Sequence, residues 1–269
     1  MHSIRFAICL TVLGSFVAGA QQPQTPPPAK APAAETSSFM KAATITQTEG
    51  TLHIAANSPR PLAQVLDALR QKYGWQVEYE DPRYMAKVDI VEKPGPNDSV
   101  YTFPSGGSFT VDVPAGSGTT PPPEDKTLEL IVDAYNQSKN PGRFGLRQAE
   151  GGRYSVVGVG AQDDGGKIVV QEPLLDWAVA MPAEARSATA ALNLLCQKTT
   201  EESHVPMMLG VNPRALMDNN TVKVGGAKTP ARTLLARTID GVGHPMYWRL
   251  LFDPKSKGYY LDVHAVRDK

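Results

Sequence analysis

Residues 58–81, SPRPLAQVLDALRQKYGWQVEYED, read as a capped helix that runs through a glycine into an alternating strand. Leu62, Val65, Leu66 and Leu69 fall at i, i+3, i+4 and i+7, so they line one stripe of a helix that must be buried against another element. Ser58 stands where an N-cap is wanted, and Pro59 and Pro61 are tolerated because they fall within the first turn. Gly74 ends the helix, since glycine takes the left-handed conformation at no steric cost. Beyond it Trp75, Val77 and Tyr79 alternate with Gln76, Glu78 and Glu80, the period of a strand with one dry face and one wet face, and Asp81-Pro82 stops it. Helix and strand share a core, with the two glutamates expected in water.

Working outward, a short alternating strand at Thr51–Ile54 precedes the helix, and Val88 with Ile90, then Phe109, Val111 and Val113, read as two further strands. Residues 93–107, KPGPNDSVYTFPSGG, look like an insertion or long loop between them. After a proline cluster at Pro121–Pro123, Leu128, Ile131, Val132 and Tyr135 repeat the helical stripe, and Asn140-Pro141-Gly142 ends it. Phe144–Gln148 and Tyr154–Val159 flank Glu150-Gly151-Gly152 as a hairpin.

From Gln162-Asp163-Asp164-Gly165-Gly166 the same order starts again. Ile168–Gln171 reads as a strand and Leu174–Met181 as strand or loop. A helix from about Pro182 to Lys198 buries Ala188, Ala191, Leu192 and Leu195. Strands at Val205–Val211 and Thr221–Val224 follow, then a helix opened by Thr229-Pro230 with Ala231, Leu234, Leu235 and Thr238 inward. Tyr247–Phe252 and Tyr259–Val266 close the chain as a hairpin. The expected fold is α+β, as two tandem small domains of order β-α-β-β-α-β-β with helices packed on small mixed sheets. The expected divisions are 1–20, 21–43, 44–162 and 163–269.

The first two divisions are not fold. His2 and Arg5 lead into the apolar run Phe6–Val17 and then Ala18-Gly19-Ala20, the pattern of a cleaved export signal, with an uncleaved anchor as the alternative. Residues 21–34, QQPQTPPPAKAPAA, read as an extended proline-rich tether or as a ragged terminus without a role. The chain carries 27 basic and 27 acidic side chains, and cleavage would remove Arg5, so no basic excess points to nucleic acid or an anionic bilayer. Cys9 lies in the apolar run and Cys196 in a helical pattern, so an internal disulfide is not expected and Cys196 reads as a small packing residue. The periplasm is the expected location, with the extracellular space as the alternative.

The order of elements, with PLAQVLDALRQKYGWQVEYED, resembles the secretin and TonB-dependent receptor short N-terminal domain family. Pro61-Leu62, Val65-Leu66, Leu69, Gly74 and Val77 sit where that pattern has its apolar positions and turn. Ala188–Leu195 followed by Thr221–Asp240 echoes it more faintly, without the glycine after the first helix. The resemblance implies periplasmic domains that make protein contacts in assembling pores or relaying receptor signals. No long array of alternating strands follows, so the resemblance carries over to an adaptor and not to a pore.

Signatures of chemistry are sparse. His53, His204, His244 and His264 have no companions at ligand spacing, and no HExxH or Walker loop occurs. Gly158-Val159-Gly160 lacks the third glycine of a dinucleotide fingerprint and reads as hairpin and linker. Asp163-Asp164-Gly165-Gly166 lacks the ligand ladder of a calcium loop and reads as a solvated turn. Ser38-Phe39-Met40-Lys41 fits SxxK but has no SDN or KTG to go with it. Asn97, Asn136 and Asn219 open N-x-S/T triplets, and Tyr247-Trp248 and Tyr259-Tyr260 read as hairpin core before ligand platform. No catalytic, cofactor or metal residue is assigned. The expected role is a non-enzymatic envelope adaptor with a protein partner, no nucleic acid and no membrane span after cleavage. The alternatives are a small-molecule or glycan binder and, last, a hydrolase acting through Ser38 or Cys196.

Overall fold

In a computed structural model, which describes residues 42–94, 100–117, 120–148 and 152–266, the opening stretch folds around its leucines. The export signal, all but the last two residues of the tether, Ser38, Lys41, Asn97 and the turn residues Glu150-Gly151 lie outside the described residues. Helix α1 (Pro61–Tyr73) buries Leu62, Val65, Leu66 and Leu69 completely, and Gly74 closes it at φ 76° with its N–H donated to the Arg70 carbonyl at 2.8 Å. The helix start departs from expectation, because Arg60 and not Ser58 holds the N-cap position, in the left-handed region at φ 53°. No side chain caps the start; Gln64 instead ties down the chain entering it, accepting from the Asn57 N–H at 3.4 Å and donating to the Asn57 and Pro59 carbonyls at 2.5 and 2.7 Å. A left-handed non-glycine residue costs about 1 kcal/mol or more, and Arg60 offsets that with an ion pair to Asp81 at 2.7 Å.

The fold is α+β, and one pairing pattern occurs in it twice. In the first half β2 (Thr51–Ala56) pairs antiparallel with β6 (Phe109–Pro114), and β1 (Thr44–Thr48) adds to β2. Strand β3 (Val77–Glu80) pairs parallel with β8 (Tyr154–Gln162), which pairs antiparallel with β7 (Arg143–Gln148), and α2 (Glu124–Gln137) supplies the second helix. In the second half β10 (Ala178–Ser187) pairs antiparallel with β12 (Thr221–Pro230). There β11 (Met207–Leu209) pairs parallel with β14 (Gly258–Ala265), which pairs antiparallel with β13 (Met246–Asp253). Its helices are α3 (Ala188–Ser203), the short α4 (Arg214–Asn219) and α5 (Ala231–Asp240).

Two details of the second half differ from the expected boundaries. The strand expected to open it, β9 (Ile168–Val170), pairs with β8 of the first half, so the counterpart of β2 is β10. Helix α3 begins at Ala188 rather than near Pro182, because residues 178–187 are held in β10 by their register with β12. The register shifts between Val179 and Met181 and between Met181 and Glu184 make room for Pro182, which has no N–H to give the ladder. Ser187 then caps α3, its Oγ accepting from the Ala190 N–H at 3.2 Å, and His204 takes the closing left-handed position where α1 has Gly74.

The halves are fused through a shared sheet. Strand β13 pairs parallel with β3, with Arg249 beside Tyr79 and Leu250 beside Glu80, so the order runs β11-β14-β13-β3-β8-β7 with β9 also on β8. The division expected between residues 162 and 163 therefore falls inside one compact unit, Ser38–Lys269, whose sheet continues through it. The two helix pairs cover opposite faces of that sheet. Leu66, Leu69, Leu128 and Ile131 of α1 and α2 pack with Val77, Tyr79, Phe144 and Val156. Leu192, Leu195, Leu234 and Leu235 of α3 and α5 pack with Trp248, Leu250, Phe252 and Leu261. Neighbours across a ladder share a face, so Glu80 points with Leu250 toward the second half. The expected wet face is thereby corrected: Glu78 is 2% exposed and Glu80 0%.

Within the segment expected to be a loop, β4 (Ile90–Pro94) and β5 (Val100–Pro104) pair as an antiparallel hairpin. Gly158 sits inside β8, where the chain leaving β3 crosses closely enough that a Cβ there would lie 2.1 Å from the Pro82 nitrogen.

Candidate functional site

The densest chemistry lies where the halves meet. Glu80 accepts from Arg232 of α5 at 2.5 Å and from the Leu175 N–H at 3.2 Å, and Arg232 also donates to Asp176 at 2.9 Å. The Arg232 guanidinium lies 5.6 Å from the centre of the Trp248 ring, and its Nη1 is buried without a hydrogen-bond partner among the described residues. At the next residue, Asp81 accepts from Arg60 at 2.7 Å, from the Tyr79 hydroxyl at 2.6 Å and from the Phe252 N–H at 3.0 Å, while Arg60 donates to the Phe252 carbonyl at 2.6 Å. On the opposite face Arg249 of β13 donates to Asp67 of α1 at 2.9 Å, and Arg70 lies 3.6 Å over the Tyr247 ring. Arg153 clasps both carboxylate oxygens of Asp240 at 2.7 Å.

Burial raises the Glu80 carboxyl above its ordinary range, with Arg232 pulling it back down, and raises Glu78, which the Ser155 hydroxyl at 2.5 Å partly offsets. Such a seam can fix orientation: Glu80 meets Arg232 and Asp81 meets the Phe252 N–H from the other half, so the halves hold one geometry. Sequence reasoning missed it because Glu78, Glu80 and Arg232 are each at home on a solvated face of a lone module. The available signal was the acidic run of the strand set against Arg232 on an otherwise apolar helical stripe.

The residues weighed for catalysis are scattered. Cys196 is buried in α3 with its thiol pushed up by desolvation to about 12, far from a reactive thiolate. His53 does have companions, Thr48 Oγ1 at 2.6 Å and Asp112 Oδ1 at 2.7 Å, on the open sheet of β1, β2 and β6. His264 stacks on Tyr247 at 5.0 Å and is lowered to about 4 by burial and by Arg249, so it is a neutral acceptor for that arginine at 3.0 Å. Asp163 accepts from the Gly165 and Lys167 N–H groups at 3.0 and 2.9 Å, and Asp164 from the Lys87 N–H at 3.0 Å, which makes their run a hydrogen-bonded turn. Asn136 bridges the Phe144 N–H and carbonyl at 2.9 and 2.8 Å. Trp248 and Tyr259 are buried in the second core. Among the described residues no three His, Cys, Asp or Glu side chains gather as a metal-ligand set.

Outside the seam the chain presents a groove of about 250 Å³ between β9 and the end of α3, lined by Val169, Val170, Trp177, Val205 and Tyr259 with Arg83 at its side. Val170 is 84% exposed there, and Val169 and Trp177 are also exposed. A scan of family models finds no match, and neither a curated relative nor a solved structure matches the chain. No helix among the described residues is long and apolar enough to cross a membrane.

Proposed function

We propose that this chain is an exported envelope protein that acts without catalysis, as an adaptor whose two fused modules present a fixed surface to a protein partner. The observation that carries this reading is the groove beside β9, where Val169, Val170 and Trp177 stand exposed among Arg83, Gln171 and Glu172 next to a sheet strand. Exposed apolar side chains beside a strand favour a contact site, and a strand edge flanked by a groove suits an extended peptide. The seam supports it by spending its charges internally on rigidity, which lowers the ordering cost of binding. The helix and strand pattern that resembles the secretin and TonB-dependent receptor short N-terminal domains, together with the leader-like residues 1–20, supports the compartment and the adaptor role.

A pull-down from envelope extract should recover a specific protein with the wild-type chain and lose it with Val170→Asp combined with Trp177→Ser. Recovery of no specific protein under gentle conditions, or recovery undiminished by the double variant, would sink the reading. The groove's mix of Trp177 and Tyr259 with Arg83, Gln171 and Glu172 also favours, as a second reading, a small-molecule ligand. A thermal shift with a ligand panel that disappears in the same variant separates that case.

A further inference from the structure

We propose that Thr48 is an activated nucleophile that takes an acyl group from an aryl ester, with His53 as its base and Asp112 as the residue that positions the base. The three stand on the open sheet of β1, β2 and β6, which lends no residue to the groove beside β9. The inference is therefore independent of the adaptor reading.

Strand alternation builds the site. Leu52 and Ile54 of β2 and Val113 of β6 are buried in the first core, so His53 and Asp112, of the opposite parity, turn to the open face. The register sets His53 opposite Asp112 on one side and opposite Thr46 on the other. Thr48, paired with Thr51, is then the diagonal neighbour of His53 on that same face. Each strand fixes one of the three side chains, and strands hold such a constellation more rigidly than loops do.

The hydrogen bonds run in one direction. His53 Nδ1 lies 2.7 Å from Asp112 Oδ1, and His53 Nε2 lies 2.6 Å from Thr48 Oγ1. A carboxylate only accepts, so in the neutral imidazole it fixes the proton on Nδ1. The lone pair is then on Nε2, and the Thr48 hydroxyl donates to it. A hydroxyl aimed at a base that a third group orients is the arrangement acyl transfer requires. Thr48 is exposed where β1 meets its turn, so an acyl carbon can approach Oγ1.

The step balances without a further reagent. Thr48 Oγ1 bonds to the acyl carbon while its proton passes to His53 Nε2. The C–O bond to the leaving group breaks, and the departing oxygen keeps the electron pair and takes up that proton. The His53 and Asp112 side chains are 42% and 67% exposed, so water screens the charges of the site and the developing oxyanion gains little from them. The donor must then carry a group that leaves readily, which selects an aryl ester over an alkyl one. A threonine alkoxide leaves far less readily than a phenolate, so the acyl group stays on Thr48. The outcome is one modification per chain and not turnover, which is compatible with a role that needs no catalysis.

The test is peptide mapping by mass spectrometry of the full exported chain after timed exposure to p-nitrophenyl acetate. One acetyl group per chain should accumulate on the peptide that carries Thr48. Hydroxylamine should remove it, since that reagent cleaves an ester and spares the amides that lysines form. Thr48→Val should abolish the modification and Thr48→Ser should retain it. His53→Gln should slow it by about a hundredfold or more, the scale of a lost general base. Asp112→Asn should slow it as well, because an amide no longer holds the imidazole proton on Nδ1. Thermal unfolding of each variant checks the fold, and these side chains enter neither core cluster. Acetyl groups confined to amines in the wild type, or Thr48 acetylated as fast in His53→Gln as in wild type, would overturn the proposal.

Discussion

Glu78 and Glu80 leave the same face of one strand two residues apart, are buried to the same degree, and keep different company. Glu80 meets a guanidinium from the other half, itself held by Asp176, and a backbone N–H. Glu78 meets a serine hydroxyl from its own half. Burial alone therefore does not say what a carboxylate contributes; the group left behind when it is removed does. Removing Glu80 strands a buried cation, whereas removing Glu78 strands a hydroxyl.

The comparison is broken most directly at Glu80. Glu80→Ala should lower stability by about 3 to 5 kcal/mol, because Arg232 is left buried with only the part-exposed Asp176. Replacing both Glu80 and Arg232 with methionine should recover most of that loss, since the cost lies in the unpaired charge and not in the missing bond. Urea titrations of the single and double variants measure the coupling. A loss below about 1 kcal/mol in Glu80→Ala would mean that the seam does not hold the halves.

A shared sheet should make the halves unfold together. Leu66→Ala empties part of the first core and Leu192→Ala part of the second, each at about 2 to 5 kcal/mol. With β3 and β13 paired in one sheet, both variants should shift a single transition, coincident by tryptophan fluorescence and far-UV circular dichroism. Two separated transitions would restore the picture of independent domains.

The same strand shows how far the sequence could be read. The stripe Leu62, Val65, Leu66 and Leu69 and the closing Gly74 carry local physics, and each falls where its spacing puts it. The alternation through Val77 to Glu80 is right for a single module, whose sheet would leave the glutamates in water. What it lacks is the β13 neighbour, about 170 residues downstream, because a parallel pairing leaves no local signature in either strand. The β10 boundary failed for a related reason: Pro182 signals a helix start locally, and only the long-range register with β12 assigns it to a bulged strand. At the candidate site, the apolar character of Val169-Val170 and Trp177 is written in the sequence, but their convergence with Val205 and Tyr259 is a product of the fused sheet.

Glu78→Gln is the mildest probe and the one that isolates pH. Desolvation raises the Glu78 carboxyl above the ordinary glutamate value of 4.5, with Ser155, Arg153 and Arg232 pulling it back. A carboxyl raised in the folded state holds its proton longer there than in the unfolded chain. Its favourable contribution is complete below the ordinary value and is lost as pH climbs through the raised one. Glutamine keeps an acceptor for the Ser155 hydroxyl and carries no charge to desolvate, so the variant should match or exceed wild type at neutral pH, by up to about 1 kcal/mol. Urea midpoints taken from about pH 4 to pH 8 should fall less steeply in the variant. Glu80, raised in the same direction, keeps its own share of the slope in both proteins, so the difference between the curves belongs to Glu78. If Glu78→Gln instead lost stability at neutral pH to the degree of Glu80→Ala, the carboxylate would be acting as a second anchor for Arg232, and the two glutamates would be equivalent after all.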